Sequence, residues 1–100
     1  MVFTKCVTLT GKYNASFVFQ TQKAMEKWIA SELPELEKKY GTLEVNTRTL
    51  QGLKVGDKCK VIGDGNLVYT IEGIKEYSPN NYGFVLDSGW IEPVYKCYKA

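Results

Sequence analysis

The hydrophobic pattern along the chain changes period twice before its midpoint. Val2 to Thr10 (VFTKCVTLT) interleaves apolar with polar residues and is rich in β-branched side chains, as a half-buried strand would be. Gly11-Lys12-Tyr13-Asn14 carries turn chemistry, and Ala15 to Gln20 (ASFVFQ) supplies a second short strand, so the two predict a hairpin. Thr21 can cap a helix, and from there the period lengthens. Met25, Trp28, Ile29, Leu33, Leu36 and Tyr40 recur at helical spacing, forming the stripe of an amphipathic helix that should cover sheet. Pro34 lacks the N–H of the helical ladder, which predicts a kink, or a break near Ser31 to Leu33 with a second short helix after it. Gly41 suits the C-terminal stop. Thr42 to Leu50 (TLEVNTRTL) returns to β-type residues and reads as a further strand.

The second half reads as all-β. Val55-Gly56-Asp57 turns the chain into Lys58 to Ile62, where alternation puts Lys58 and Lys60 on one face and Cys59 and Val61 on the other. Gly63-Asp64-Gly65-Asn66 is a tight turn of the Asp-Gly type. Leu67 to Lys75 (LVYTIEGIK) is the longest strand, with a bulge at Gly73. Ser78-Pro79-Asn80-Asn81 forms a loop flanked by Tyr77 and Tyr82, and Phe84-Val85-Leu86 is a short strand. Asp87-Ser88-Gly89 turns the chain into a last strand, Trp90 to Tyr98. Short strands at this turn spacing predict a small barrel. The expected architecture is therefore α+β. Residues 1–50 form a hairpin-plus-helix subunit and residues 51–100 a barrel, packed as one cooperative domain.

Length and charge narrow the function. A chain of 100 residues supports one domain with one modest core and no deep cleft. Thirteen Lys and Arg against eleven Asp and Glu leave a net charge of +2, too balanced to demand a nucleic-acid or membrane partner. No histidine is present, which removes histidine acid–base chemistry and histidine metal ligation. The three cysteines, Cys6, Cys59 and Cys97, form no paired pattern, so reduced thiols and a cytoplasmic location are expected. No apolar stretch approaches the roughly 20 residues of a membrane helix, and the N-terminus does not resemble a signal peptide.

The run Leu53-Lys54-Val55-Gly56-Asp57-Lys58-Cys59-Lys60-Val61-Ile62 resembles the opening strand of SH3-like small barrels, including the KOW type. Tyr69-Thr70-Ile71-Glu72-Gly73-Ile74 resembles their second strand, and Phe84-Val85-Leu86-Asp87-Ser88-Gly89-Trp90-Ile91 their later ones. The resemblance covers about residues 53–98. It implies an SH3-like fold of the kind seen in phage accessory proteins. It further implies a protein in the host cytoplasm that binds and modulates, or inhibits, a host or phage protein. The turn Gly63-Asp64-Gly65-Asn66 is acidic where a KOW element has a basic one, and no Ala-Leu-Tyr-Asp-Tyr-like segment is present. RNA binding and proline-peptide binding therefore do not transfer.

Catalysis finds little support. Ser16, Ser31, Ser78 and Ser88 lack a histidine base, and Cys59 should point away from its flanking lysines. Asp57 with Asp64, or Glu72 with Glu76, could pair for acid–base work, but turn and surface roles account for them. No cofactor is implied, and neither the cysteine spacing nor the Gly63–Asn66 turn fits a metal site. The expected function is non-enzymatic binding of a protein, with Tyr77, Tyr82, Trp90, Lys58 and Lys60 as contact residues. The alternative is single-stranded RNA or DNA binding by the same aromatics and lysines, with Lys54 and Arg48 extending the basic edge.

Overall fold

Lys5–Thr10 (β1) and Ala15–Phe19 (β2) pair antiparallel, with Lys5 opposite Phe19 and Leu9 opposite Ala15, which closes the predicted hairpin. Glu44–Thr49 (β3) returns along the other edge of β1, giving a three-stranded sheet in the order β2-β1-β3. Gln22–Tyr40 forms α1 between them. The Thr21 hydroxyl caps α1 by accepting the Ala24 N–H at 3.1 Å. Gly41, at φ +84°, ends it and donates its N–H to the Glu37 carbonyl at 2.8 Å. The structure is a computed structural model describing all of residues 1–100. It corrects the expected break near Ser31 to Leu33 with a second short helix, because α1 is one uninterrupted helix with Pro34 inside it. Pro34 and Ala30 are both exposed, so the Ala30 carbonyl that loses its donor remains open to water.

Both faces of β1 are buried. Val7 and Leu9 join Phe19, Met25 and Leu43 in a core beneath α1, and the whole predicted stripe from Trp28 to Tyr40 packs around it. Cys6 and, on β2, Val18 face the other way. They belong to a second, larger core with Phe3, Ile71, Phe84 and Leu86. The molecule is thus layered as helix, three-stranded sheet and five-stranded sheet, and the larger core draws side chains from both halves of the chain. Two further links cross between them. The Val18 N–H donates to the Asn80 carbonyl at 2.9 Å, and the Arg48 guanidinium donates to the Tyr95 carbonyl.

The second sheet comprises Lys58–Val61 (β4), Tyr69–Ser78 (β5), Asn81–Leu86 (β6), Ile91–Pro93 (β7) and Cys97–Lys99 (β8). Its order is β7-β6-β5-β4-β8, antiparallel throughout. The register shifts between Ile71 and Gly73, in keeping with the bulge that the glycine predicts. Three expectations change. β5 and β6 continue to Ser78 and Asn81, so only Pro79 and Asn80 form the turn, with Asn80 at φ +62°. The final stretch is not one strand, because a 3₁₀ turn at Val94–Lys96 separates β7 from β8. The sheet also does not close: β7 and β8 remain its two edges, with no ladder between them. Each is only three residues long, and the turn between them redirects the chain.

Candidate functional site

The β6–β7 turn places the most exposed aromatic side chain. The Gly89 N–H donates to the Leu86 carbonyl at 2.9 Å, and Gly89 takes φ +90°, which a glycine adopts without strain. The Leu86 N–H then bonds the Trp90 carbonyl at 2.9 Å, so the backbone of Trp90 is fixed while its ring stands free, 73% exposed. Beside it lies a recess of about 280 Å³ lined by Asp64, Tyr69, Leu86, Trp90 and Glu92. Tyr69 opens β5 and its hydroxyl donates to the Asp64 carboxylate from the β4–β5 loop. That hydrogen bond raises the Tyr69 pKa above its ordinary value, helped by partial burial and by the negative charges of Asp64, Glu92 and Asp87. The same β4–β5 loop carries Ile62, Leu67 and Val68, which are 57%, 58% and 51% exposed.

Tyr77 and Tyr82 stand elsewhere. Tyr77 borders a groove of about 510 Å³ at the seam of the two sheets, where Tyr13, Phe17, Ile91, Pro93 and Tyr95 also line the walls. The ammonium of Lys75 lies 5.2 Å from the centre of the Tyr77 ring. Tyr82 is only partly exposed. Its ring packs against Phe3 at 4.7 Å between centroids and borders the larger core. Its hydroxyl donates to Glu76 at 2.6 Å, which raises its pKa. Tyr82 therefore braces the hairpin as well as bordering the surface.

The lysines occupy a third region. Lys58 donates to the Thr70 hydroxyl at 2.6 Å and lines a recess of about 270 Å³ with Lys54, Lys99 and Asp57. Lys60 lies on β4 opposite Tyr98. The Asp57 carboxylate accepts the Lys54 N–H at 3.0 Å and its ammonium at 3.3 Å, closing the turn into β4. The backbone hydrogen bond holds its pKa below the ordinary value. The five residues singled out from the sequence thus do not converge on one site.

Strand alternation places Cys59 as expected: its side chain is fully buried while Lys58 is exposed. Burial raises the pKa of Cys59, and that of the Cys97 thiol to about 12, so both are held protonated and are poor nucleophiles. All three cysteines are free and buried. No cluster of three or more His, Cys, Asp or Glu side chains is placed to hold a metal ion, and no helix is long and apolar enough to cross a membrane.

Sequence reasoning missed Tyr69, Glu92, Ile62, Leu67 and Val68, and considered Asp64 only as a turn residue or as a partner for Asp57. The strand expected to open at Leu67 begins only at Tyr69, which leaves Leu67 and Val68 in the β4–β5 loop. The signal was there: two adjacent apolar residues cannot both face one core across an alternating strand. No protein-family model, curated protein or solved structure matches this chain.

Proposed function

We propose that the protein is a non-enzymatic binding module that engages another protein through the surface around Trp90. One observation carries this reading. Ile62, Leu67, Val68 and Trp90, each more than half exposed, come from the β4–β5 loop and the β6–β7 turn, and the recess joins that loop to that turn. Exposed apolar side chains on adjoining loops are a mark of interaction surfaces. The SH3-like reading of residues 53–98 is supported by a five-stranded antiparallel meander whose last strand returns to pair beside its first. With it goes the proposed role of a phage-type accessory protein that modulates or inhibits its target. The nucleic-acid reading is less well served, because Trp90 sits among carboxylates while Lys54, Lys58 and Lys99 gather in another recess.

The test is capture of a protein from a nuclease-treated bacterial lysate by immobilised wild-type, Trp90→Ala and Leu67→Asp chains. The wild type is expected to retain a stoichiometric protein band that both variants lose while their melting temperatures stay within a few degrees of it. A band held equally by all three chains would refute the Trp90 surface. Retention of nucleic acid alone, in an untreated lysate, would replace protein by nucleic acid.

A further inference from the structure

We propose that the recess beside Trp90 receives a cationic side chain, arginine or lysine, from an extended basic segment of the partner. This inference rests on the protein-binding reading above and specifies the chemistry of its contact. At about 280 Å³ the recess lies at the small end of ligand sites, which suits one side chain rather than a whole small molecule. Its walls supply two kinds of attraction for a cation. Tyr69 and Trp90 offer aromatic faces, and a cation within about 6 Å of such a ring is drawn to its negative face. Asp64 and Glu92 add two carboxylates, with Asp87 in the adjoining turn.

None of these three carboxylates has an ion-pair partner within the chain. The two salt bridges join Lys38 to Glu35 and Lys54 to Asp57, both elsewhere. The carboxylates around Trp90 are thus left without an ion pair in a protein whose net charge is +2. The Tyr69 pKa is raised first by its hydrogen bond to Asp64 and by burial, and the charges of Asp64, Glu92 and Asp87 add to the shift. An apolar occupant would strip water from the carboxylates and return nothing. A nucleotide stacked on Trp90 would bring its phosphate towards three like charges. A cation with an aliphatic stem matches both features, its charge facing the carboxylates and its methylenes lying along the Tyr69, Leu86 and Trp90 walls of the recess.

The chain has two tryptophans, and an indole N–H resonance from each is resolvable in a ¹⁵N-labelled sample. Titration with a capped tetra-arginine peptide at low salt should move the Trp90 resonance saturably and leave that of Trp28 unmoved. Asp64→Asn or Glu92→Gln should each weaken binding about threefold to fivefold, the scale of one partly screened ion pair. Added salt should weaken it further. Failure of Trp90 to respond, an equal response to tetraglutamate, or an affinity unchanged in both carboxylate variants would overturn the inference. Saturable binding of an oligothymidylate at Trp90 in place of the peptide would overturn it as well. The two readings also fail separately. Loss of protein capture in Trp90→Ala without any tetra-arginine response removes the cation site alone. A tetra-arginine response with capture intact in Trp90→Ala removes the protein-binding role assigned to this surface alone.

Discussion

Replacing Ile71 by alanine tests whether the two halves fold as one. Ile71 lies on β5 and is 1% exposed, within the larger core that also holds Phe3, Cys6 and Val18 from the first half. The substitution removes three carbons. At about 0.8 kcal/mol per buried CH₂, plus a cavity term, the cost is about 3 kcal/mol. With a urea dependence of about 2 kcal/mol/M, the unfolding midpoint should fall by about 1.5 M. The useful probe is distant. Trp28 lies on the sheet-facing side of α1, its ring 4.6 Å from that of Phe17 and 5.7 Å from that of Phe19. In a Trp90→Phe background Trp28 is the sole tryptophan, so its fluorescence reports the helix layer alone. If the shared core couples the layers, Trp28 fluorescence and the circular dichroism of the whole chain should move together by the full amount. A Trp28 transition that stays at its original midpoint would refute the coupling and establish two separately folding units.

Gly83 and Asp57 yield two further predictions. A Cβ at Gly83 would lie 2.7 Å from Ile91 Cγ2, 3.0 Å from Tyr77 Cε2 and 3.3 Å from the Glu92 carbonyl oxygen. Gly83→Ala should therefore cost about 1–3 kcal/mol by overpacking, read as a drop of roughly 4–8 °C in melting temperature per kcal/mol. An unchanged melting temperature would mean that β7 yields freely. Asp57 has a folded pKa below its ordinary 3.8, so its charge stabilises the fold fully above that pH and progressively less as the pH falls through the lower folded value. The stability difference between wild type and Asp57→Asn, from urea titrations, should shrink between about pH 6 and about pH 2. A difference that does not change with pH would remove the charge from the account.

Local chemistry was legible where a single neighbour decides the outcome. The hairpin, the Thr21 cap, the Gly41 stop and the helical stripe all follow from spacing, and the structure forms each of them. Pro34 misled because propensity assigns a cost without saying where the orphaned carbonyl will sit. On an exposed face water takes the place of the missing donor. The alternation of β1 indicated one buried face. It could not announce that Cys6 faces a second core, because that core is completed by residues more than 50 positions away. The candidate site was legible only in Trp90. Its acidic surroundings arise when the β4–β5 loop and the β6–β7 turn meet, a juxtaposition set by the order of the sheet rather than by any local motif.

The make-up of the larger core also bears on how the chain is born. Phe3 and Cys6 share that core with Val94 and Cys97, so during synthesis they wait for partners that leave the ribosome about 90 residues later. At about 5–20 residues per second, the interval of about 90 residues lasts roughly 5–18 s. The helix and its three-stranded sheet can assemble earlier, since their core needs nothing beyond Val45. During that interval the sheet presents Cys6 and Val18 to solvent on its uncovered face. Nascent chains stalled shortly after β3 should therefore recruit chaperones that bind apolar surface, and chains extended past Cys97 and clear of the tunnel should release them.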